Sequence, residues 1–142
     1  MCQEIKYCII GCSKTKKRYS CKAGELYQGA LFKKSVLYCK LFYPTAILYI
    51  LSAEYGLIPF DKIIKPYEKN LRDLNKQQQK EWFNMVQQQL TQYQIKLENT
   101  CFLTSSLYQG SMIALNPLKG LSQGRRLQFL NKKIYSNNLS IL

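Results

Sequence analysis

The chain has no histidine among its 142 residues. That absence excludes a Ser-His-Asp triad, a Cys-His dyad and any histidine-ligated metal centre. Acids are scarce as well: eight Asp and Glu stand against 21 Lys and Arg, for a formal charge of +13. Any general acid or base must therefore be one of a few carboxylates, a lysine, a tyrosine or a thiol. No apolar run approaches the ~20 residues that span a bilayer, so no membrane partner is expected. Met1-Cys2-Gln3-Glu4 carries an acid where a secretory signal carries bases, and a cytoplasmic location is the expectation.

Several motif frames are missing too. Gly11-Cys12-Ser13-Lys14-Thr15 has the flavour of a phosphate loop but lacks the GxxxxGK[ST] frame, and GxGxxG does not occur. Nucleoside triphosphate hydrolysis and a dinucleotide cofactor lose their sequence support. Six cysteines, at Cys2, Cys8, Cys12, Cys21, Cys39 and Cys101, fit no paired CxxC or three-cysteine cluster spacing. Several lie inside apolar patterns and read as free buried thiols. No metal and no cofactor are expected.

What is present is a repeated pattern. Three short apolar runs each break into a small-residue, hydroxyl-bearing turn: Cys8 to Lys14, Ile47 to Gly56, and Cys101 to Ser106. Strands are expected at about Lys6 to Ile10, Ala46 to Leu51 and Thr100 to Thr104, with helical periodicity between them. A first helix from about Ala30 has Phe32, Val36, Cys39 and Tyr43 as its buried stripe and stops at Pro44. A second has Asn75 and Gln78 as a capping box and Trp82, Val86, Leu90, Tyr93 and Leu97 as its stripe. Ser13 to Gly29 reads as a long basic loop and Ser52 to Arg72 as an irregular, proline-punctuated segment. Ser105 to Gly110 leads into a short helical stretch through Leu115, and a last helix is expected from about Arg125 to Lys132. The alternation specifies an α/β fold: residues 1–142 as one domain, a three-layer sandwich around a small, mainly parallel sheet of about four strands.

Ligands of open parallel sheets settle beyond the carboxyl ends of the strands, so the three polar turns are expected to meet around one site. Ser13, Ser52 and Ser105 occupy equivalent places after the strands, as anchors or as turn caps. Tyr27, Tyr55, Tyr67 and Tyr108 recur beside the turns, where aromatic faces suit a nucleobase. Of the three acids after the second strand, Glu54, Asp61 and Glu68, the last lies in Lys65-Pro66-Tyr67-Glu68 and is the first choice for acid/base work.

Charge is concentrated at the two ends. Residues 1–40 carry a net +7, and residues 99–142 hold five bases and no acid. Such a balance draws polyanions, making nucleic acid or a nucleotide the expected partner; a lysine-rich solvated surface is the bland alternative. Lys14, Lys16, Arg125 and Arg126 are the candidate phosphate contacts. The glycine-spaced stretch Pro117 to Arg126, with Gly120 and Gly124, is the candidate anion loop.

Five blocks carry a resemblance: Cys12-Ser13-x-Lys, Glu25-Leu26-Tyr27-x-Gly29-x-Leu31-Phe32, Ile50-Leu51-Ser52-Ala53-x-Tyr55-Gly56-Leu57, Pro66-Tyr67-Glu68 and Gly120-Leu121-x-x-Gly124-x-Arg126-Leu127. Together they resemble a bacterial and phage conserved-domain family, domain of unknown function 6884. Fainter likenesses extend to the core of archaeosine synthase, through the Cys-Ser turn followed by lysines, and to uracil-DNA glycosylase folds. The resemblance implies a nucleobase-centred domain whose pocket includes Ser13, Lys16, Tyr27, Ser52, Tyr55, Gly56, Tyr67, Glu68, Gly124 and Arg126. The resulting expectation is an enzyme acting on a nucleobase or N-glycosidic bond, with Glu68, Ser13 and Ser52 as catalytic residues. The alternatives are a non-catalytic nucleic-acid-binding accessory protein and a nucleotide sensor.

Overall fold

Three uniformly apolar strands can be buried on both faces only if helices cover both sides of the sheet, and that is the arrangement found. The computed structural model describes residues 4–141; Met1, Gln3 and the expected free thiol Cys2 lie outside them. In chain order the elements are β1 (Tyr7–Gly11), β2 (Cys21–Lys22), α1 (Ala23–Leu26), α2 (Ala30–Phe42), β3 (Ile47–Ser52), β4 (Gly56–Pro59), β5 (Ile63–Ile64), α3 (Lys76–Gln92), β6 (Thr100–Leu103), α4 (Ser106–Gln109) and α5 (Gln123–Ile141). The main sheet has the order β4-β3-β1-β6. β1 pairs in parallel with β3 and with β6, and β4 returns antiparallel along β3.

Alternation along each strand sorts the core into two layers. Cys8, Ile10, Ile50, Cys101 and Leu103 face the side occupied by α2 and α5, where Phe32, Cys39, Leu130 and Ile134 complete the packing. Ile9, Tyr49, Leu51 and Phe102 face the other side, against Trp82, Val86 and Leu90 of α3. Each of these large side chains contributes about 1.5–3 kcal/mol by leaving water.

The two long helices start and stop for local reasons. Asn75 and Gln78 form the capping box at the start of α3: Asn75 accepts from the Gln78 N–H, and Gln78 accepts from the Asn75 N–H. The expected stripe runs past the end of this helix, which closes at Gln92 before Gln94 takes φ +57°. Tyr93 is the C-cap and Leu97 begins a 3-10 turn. On α2 the buried residues are Phe32, Ser35, Tyr38 and Cys39, while Val36 and Tyr43 are half-buried. The stripe is wider than expected because α2 packs against both the sheet and α5.

Other expectations are corrected in the connections. Ser52 to Arg72 is not irregular: its first part is β4, reached through a turn in which Gly56 has φ +70°. β5 pairs with β2 as a two-stranded antiparallel ribbon, so the supposed loop Ser13 to Gly29 also carries regular structure. The helical stretch after Ser105 ends at Gln109, capped by Gly110, not at Leu115. Leu115 instead lies alongside β6, where its carbonyl accepts the Phe102 N–H at 2.7 Å. The last helix starts earlier and runs further than Arg125 to Lys132.

Cys8, Cys39 and Cys101 are buried free thiols, whereas Cys12 and Cys21 are half-exposed free thiols. Burial pushes the Cys101 thiol up to about 12, and hydrogen bonding to Cys8 together with burial raises Cys39. Only thiolates react quickly. In a Cys2→Ser chain, a disulfide reagent should therefore titrate two thiols in the native state and five in urea. Rapid native labelling of Cys39 or Cys101, located by peptide mapping, would contradict this packing.

Candidate functional site

Chain connectivity decides where a cavity opens. From β1 the chain crosses by way of α2 to β3, and from there by way of α3 back past β1 to β6. The connections place β3 and β6 on opposite sides of β1, which makes the carboxyl ends of β1 and β6 the switch point of the sheet. A cavity of about 960 Å³ lies there, floored by Gly11 and Cys12 at the end of β1 and by Leu103 and Thr104 at the end of β6.

Its walls come from five further stretches. The turn after β1 supplies Ser13, Lys14 and Lys16, and the start of α2 supplies Gly29, Ala30 and Leu31. The segment before α3 supplies Glu68, Asn70, Arg72 and Asp73; the α4 region supplies Ser105 and Tyr108; the first turn of α5 supplies Gln123 and Arg126. Ser13 pins two of these together. Its hydroxyl donates to the Thr15 carbonyl at 2.9 Å and accepts the Gly29 N–H at 3.2 Å. A side chain at Gly29 would bring its Cβ within 2.8 Å of the Ser13 Cβ, so the close approach requires glycine.

The β2–β5 ribbon fixes the opposite wall. Ala23 and Gly24 donate backbone N–H groups to the Lys62 and Phe60 carbonyls at 2.8 and 2.9 Å. This ties the loop bearing Tyr27 to the segment bearing Tyr67 and Glu68. Behind the wall three hydroxyls form a chain: Ser52 Oγ donates to Tyr67 OH at 2.7 Å, and Tyr67 OH lies 2.7 Å from Tyr27 OH. Ser52 Oγ also accepts the Glu54 and Tyr55 N–H groups, both at 3.1 Å, which directs its only proton to Tyr67. Burial pushes the Tyr27 and Tyr67 phenols well above their ordinary range.

Lys16 crosses from this wall into the cavity. Its Nζ lies 4.5 Å from the Tyr67 ring centroid and donates to the Lys14 carbonyl at 3.1 Å. Burial lowers its pKa, while the fields of Cys12 and Glu68 act in the opposite direction. On the far side Tyr108 is held edge-on to Trp82, with ring centroids 5.6 Å apart, and its hydroxyl accepts the Leu71 N–H at 3.3 Å.

Two buried polar atoms of the lining have no partner: Thr104 Oγ1 and Arg126 Nε. Thr104 is 4% exposed. An unpaired buried polar atom costs about 1–3 kcal/mol, which a ligand can recover by bonding to it.

Of the residues read from sequence, the cavity gathers Ser13, Lys14, Lys16, Glu68, Ser105, Tyr108 and Arg126. It does not gather Ser52, Tyr27, Tyr55, Tyr67, Gly56, Gly124 or Arg125 among its lining. Ser52 is fully buried and its hydroxyl is engaged by three groups, so it positions Tyr67 and reaches no ligand directly. Tyr27 is 1% exposed and cannot serve as an open base platform. Tyr55 donates to the Lys65 carbonyl, and Gly56 is buried in the β3–β4 turn against Gln89. Arg125 and Gly124 are exposed on α5 outside the lining. Glu54 pairs with Lys69 at 3.7 Å, and Asp73 is the second cavity carboxylate in place of Glu54 or Asp61. Sequence reasoning missed Cys12, Arg72, Asp73 and Thr104. Asp73 and Arg72 had a signal in their proximity to Glu68; Thr104 had one in ending the third apolar run.

The protein is thus an α/β domain with a polar, predominantly cationic cavity at the switch point of a mainly parallel sheet. It belongs to the family described as Family of unknown function (DUF6884), whose profile matches residues 7–132. Neither a curated protein nor a solved structure matches the chain, so the fainter likenesses to archaeosine synthase and the glycosylase folds gain no support.

The hydroxyl chain makes two predictions. Ser52→Ala and Tyr67→Phe should each destabilise the fold by about 1–3 kcal/mol in urea titrations, with less than additive loss in the double variant. Phenols held above their ordinary value of 10.0 keep their protons when folded and lose them when unfolded. Their contribution is therefore complete below that pH and falls as pH rises above it. Stability measured from pH 8 to 11 should fall at the alkaline end, and less steeply in Tyr67→Phe.

Proposed function

We propose that the protein is an enzyme acting on a nucleobase or its N-glycosidic bond in a nucleotide or nucleic acid. The observation that carries this reading is the grouping of Glu68 with Lys14, Lys16, Arg126 and Tyr108 around one cavity of about 960 Å³, ample for a nucleotide. Cations suit the phosphate, and the Tyr108 ring, fixed by Trp82, suits the base. Glu68 is the exposed carboxylate that a reaction at the sugar–base bond needs.

In a hydrolytic step water adds at the anomeric carbon as the bond to the base nitrogen breaks. The carboxylate orients that water, takes its proton and offsets positive charge developing on the sugar; the base departs with the bonding electrons and acquires a proton. Lys16, held against the Tyr67 ring, supplies a fixed positive charge beside Glu68. Ser105 adds a hydroxyl to the lining, and the Ser13 hydroxyl, held by Thr15 and Gly29, keeps its turn in place. No helix among the described residues is long and apolar enough to cross a membrane.

Purified protein incubated with modified and unmodified nucleotides, DNA and RNA should release a free or altered base detectable by mass spectrometry. Glu68→Gln should lower the rate by about 10²–10⁴-fold with binding retained. No product from any substrate, with wild type and Glu68→Gln indistinguishable, would overturn the enzyme reading. Steeply salt-dependent binding, lost gradually over many lysine substitutions, would then identify a nucleic-acid-binding accessory protein instead.

A further inference from the structure

We propose that the part of the cavity lined by Thr104 of its floor and by Arg126 and the N-terminus of α2 of its walls is a subsite for a terminal phosphate monoester. The inference rests on the nucleotide reading above and narrows it: the preferred ligand is a mononucleotide, or a nucleic-acid end, that carries its own phosphate.

Three observations converge. α2 is a 13-residue helix whose N-cap, Gly29, has no side chain to satisfy the first N–H groups, and Gly29, Ala30 and Leu31 all line the cavity. Its unpaired N–H groups and positive dipole end favour an anion. Independently, Thr104 Oγ1 is buried in the lining without a partner. Arg126 Nε is the second unpartnered buried atom of that lining, and the single ion pair found among the described residues, Lys69 with Glu54, does not involve Arg126.

Contacts bring the first two of these groups together, and Arg126 shares their cavity lining. Gly11 packs on Thr104, with 3.5 Å separating an added Cβ from the Thr104 Cα, and two residues later Ser13 accepts the Gly29 N–H. Asn116 donates to the Thr104 carbonyl at 3.1 Å, while the Thr104 hydroxyl has no partner. A hydroxyl, a guanidinium and helix N–H groups form an all-donor set, which matches an oxyanion with several free oxygens. A phosphate reaching the buried hydroxyl of a residue only 4% exposed must stand at the end of its molecule. A diester would have to continue the chain on both sides, through packed protein.

Calorimetry on the intact chain, with a thermal-shift series alongside, tests this. Its ligands are inorganic phosphate, ribose 5-phosphate, a nucleoside, its 5′-monophosphate, and one oligonucleotide with and without a 5′-phosphate. The monophosphate should bind at least about tenfold tighter than the nucleoside, and ribose 5-phosphate should bind without any base. Thr104→Val, nearly isosteric, should raise the melting temperature of the unliganded protein while weakening the monophosphate about tenfold and leaving the nucleoside unchanged. Arg126→Met should weaken every phosphate-bearing ligand. A preference for the 5′-phosphorylated oligonucleotide over ribose 5-phosphate would assign the subsite to nucleic-acid ends, and the reverse to free nucleotides. Equal affinity for nucleoside and monophosphate, or a Thr104→Val chain that keeps the difference, would overturn the subsite. Binding of ribose 5-phosphate with no gain from any base would instead sustain the subsite and overturn the base-directed function.

Discussion

The position of β1 at the centre of the parallel strands is the constraint on which the cavity depends. Because β3 lies on one side and β6 on the other, with helices leaving toward opposite faces, no connection covers the carboxyl ends of β1 and β6. Two tightly packed layers hold that gap at fixed width. Ile9 and Phe102 are locked against α3, and Ile10 and Leu103 against α2 and α5. The backbone at Gly11, Cys12 and Thr104 is therefore positioned by core packing before any loop contributes.

The fold was legible where one physical signal dominated. β1, β3 and β6 are apolar along most of their length because both faces are covered, and the capping box of α3 is written in Asn75 and Gln78. β4 was hidden by its ending in Pro59. Proline argues against a central strand but is tolerated on an edge, which is where β4 lies. β2 and β5 have two residues each, too few for any period to show. The site was legible in part for a related reason. Treating three strand ends as equivalent brought in Ser52, but only two strands flank the switch point. Ser52, at the end of the third, is covered by the Tyr67 segment. Thr104 was missed because a β-branched residue closing an apolar strand reads as packing.

The buried hydroxyls divide into two groups with different consequences. Ser52, Tyr67 and Tyr27 satisfy one another, so they stiffen the wall that carries Glu68 and Lys16 and leave little to offer a ligand. Thr104 is at the other extreme, surrounded by protein on nearly every side yet without an acceptor or donor of its own. A sequence under no demand at this place would gain stability by carrying valine there, since removing an unpaired buried hydroxyl lowers no favourable interaction. Under the proposed phosphate subsite, its presence is a local conflict in which stability yields to an interaction with the ligand.

The cavity cations differ in the same way. Lys16 is fixed by the Lys14 carbonyl and the Tyr67 ring, and burial works against its charge, so it has little freedom to follow a ligand. It acts as a stationary field beside Glu68. Lys14 is exposed, and its attraction for a ligand is screened by solvent and salt. Arg126 alone combines a buried, unpaired donor with a planar fork that matches an oxyanion. Under the proposed function, burial and partners divide the labour: Lys16 would condition the carboxylate, Lys14 would contribute to long-range attraction, and Arg126 would provide the directed contact. The clustered charge of the chain thus resolves into three roles that formal charge alone does not distinguish.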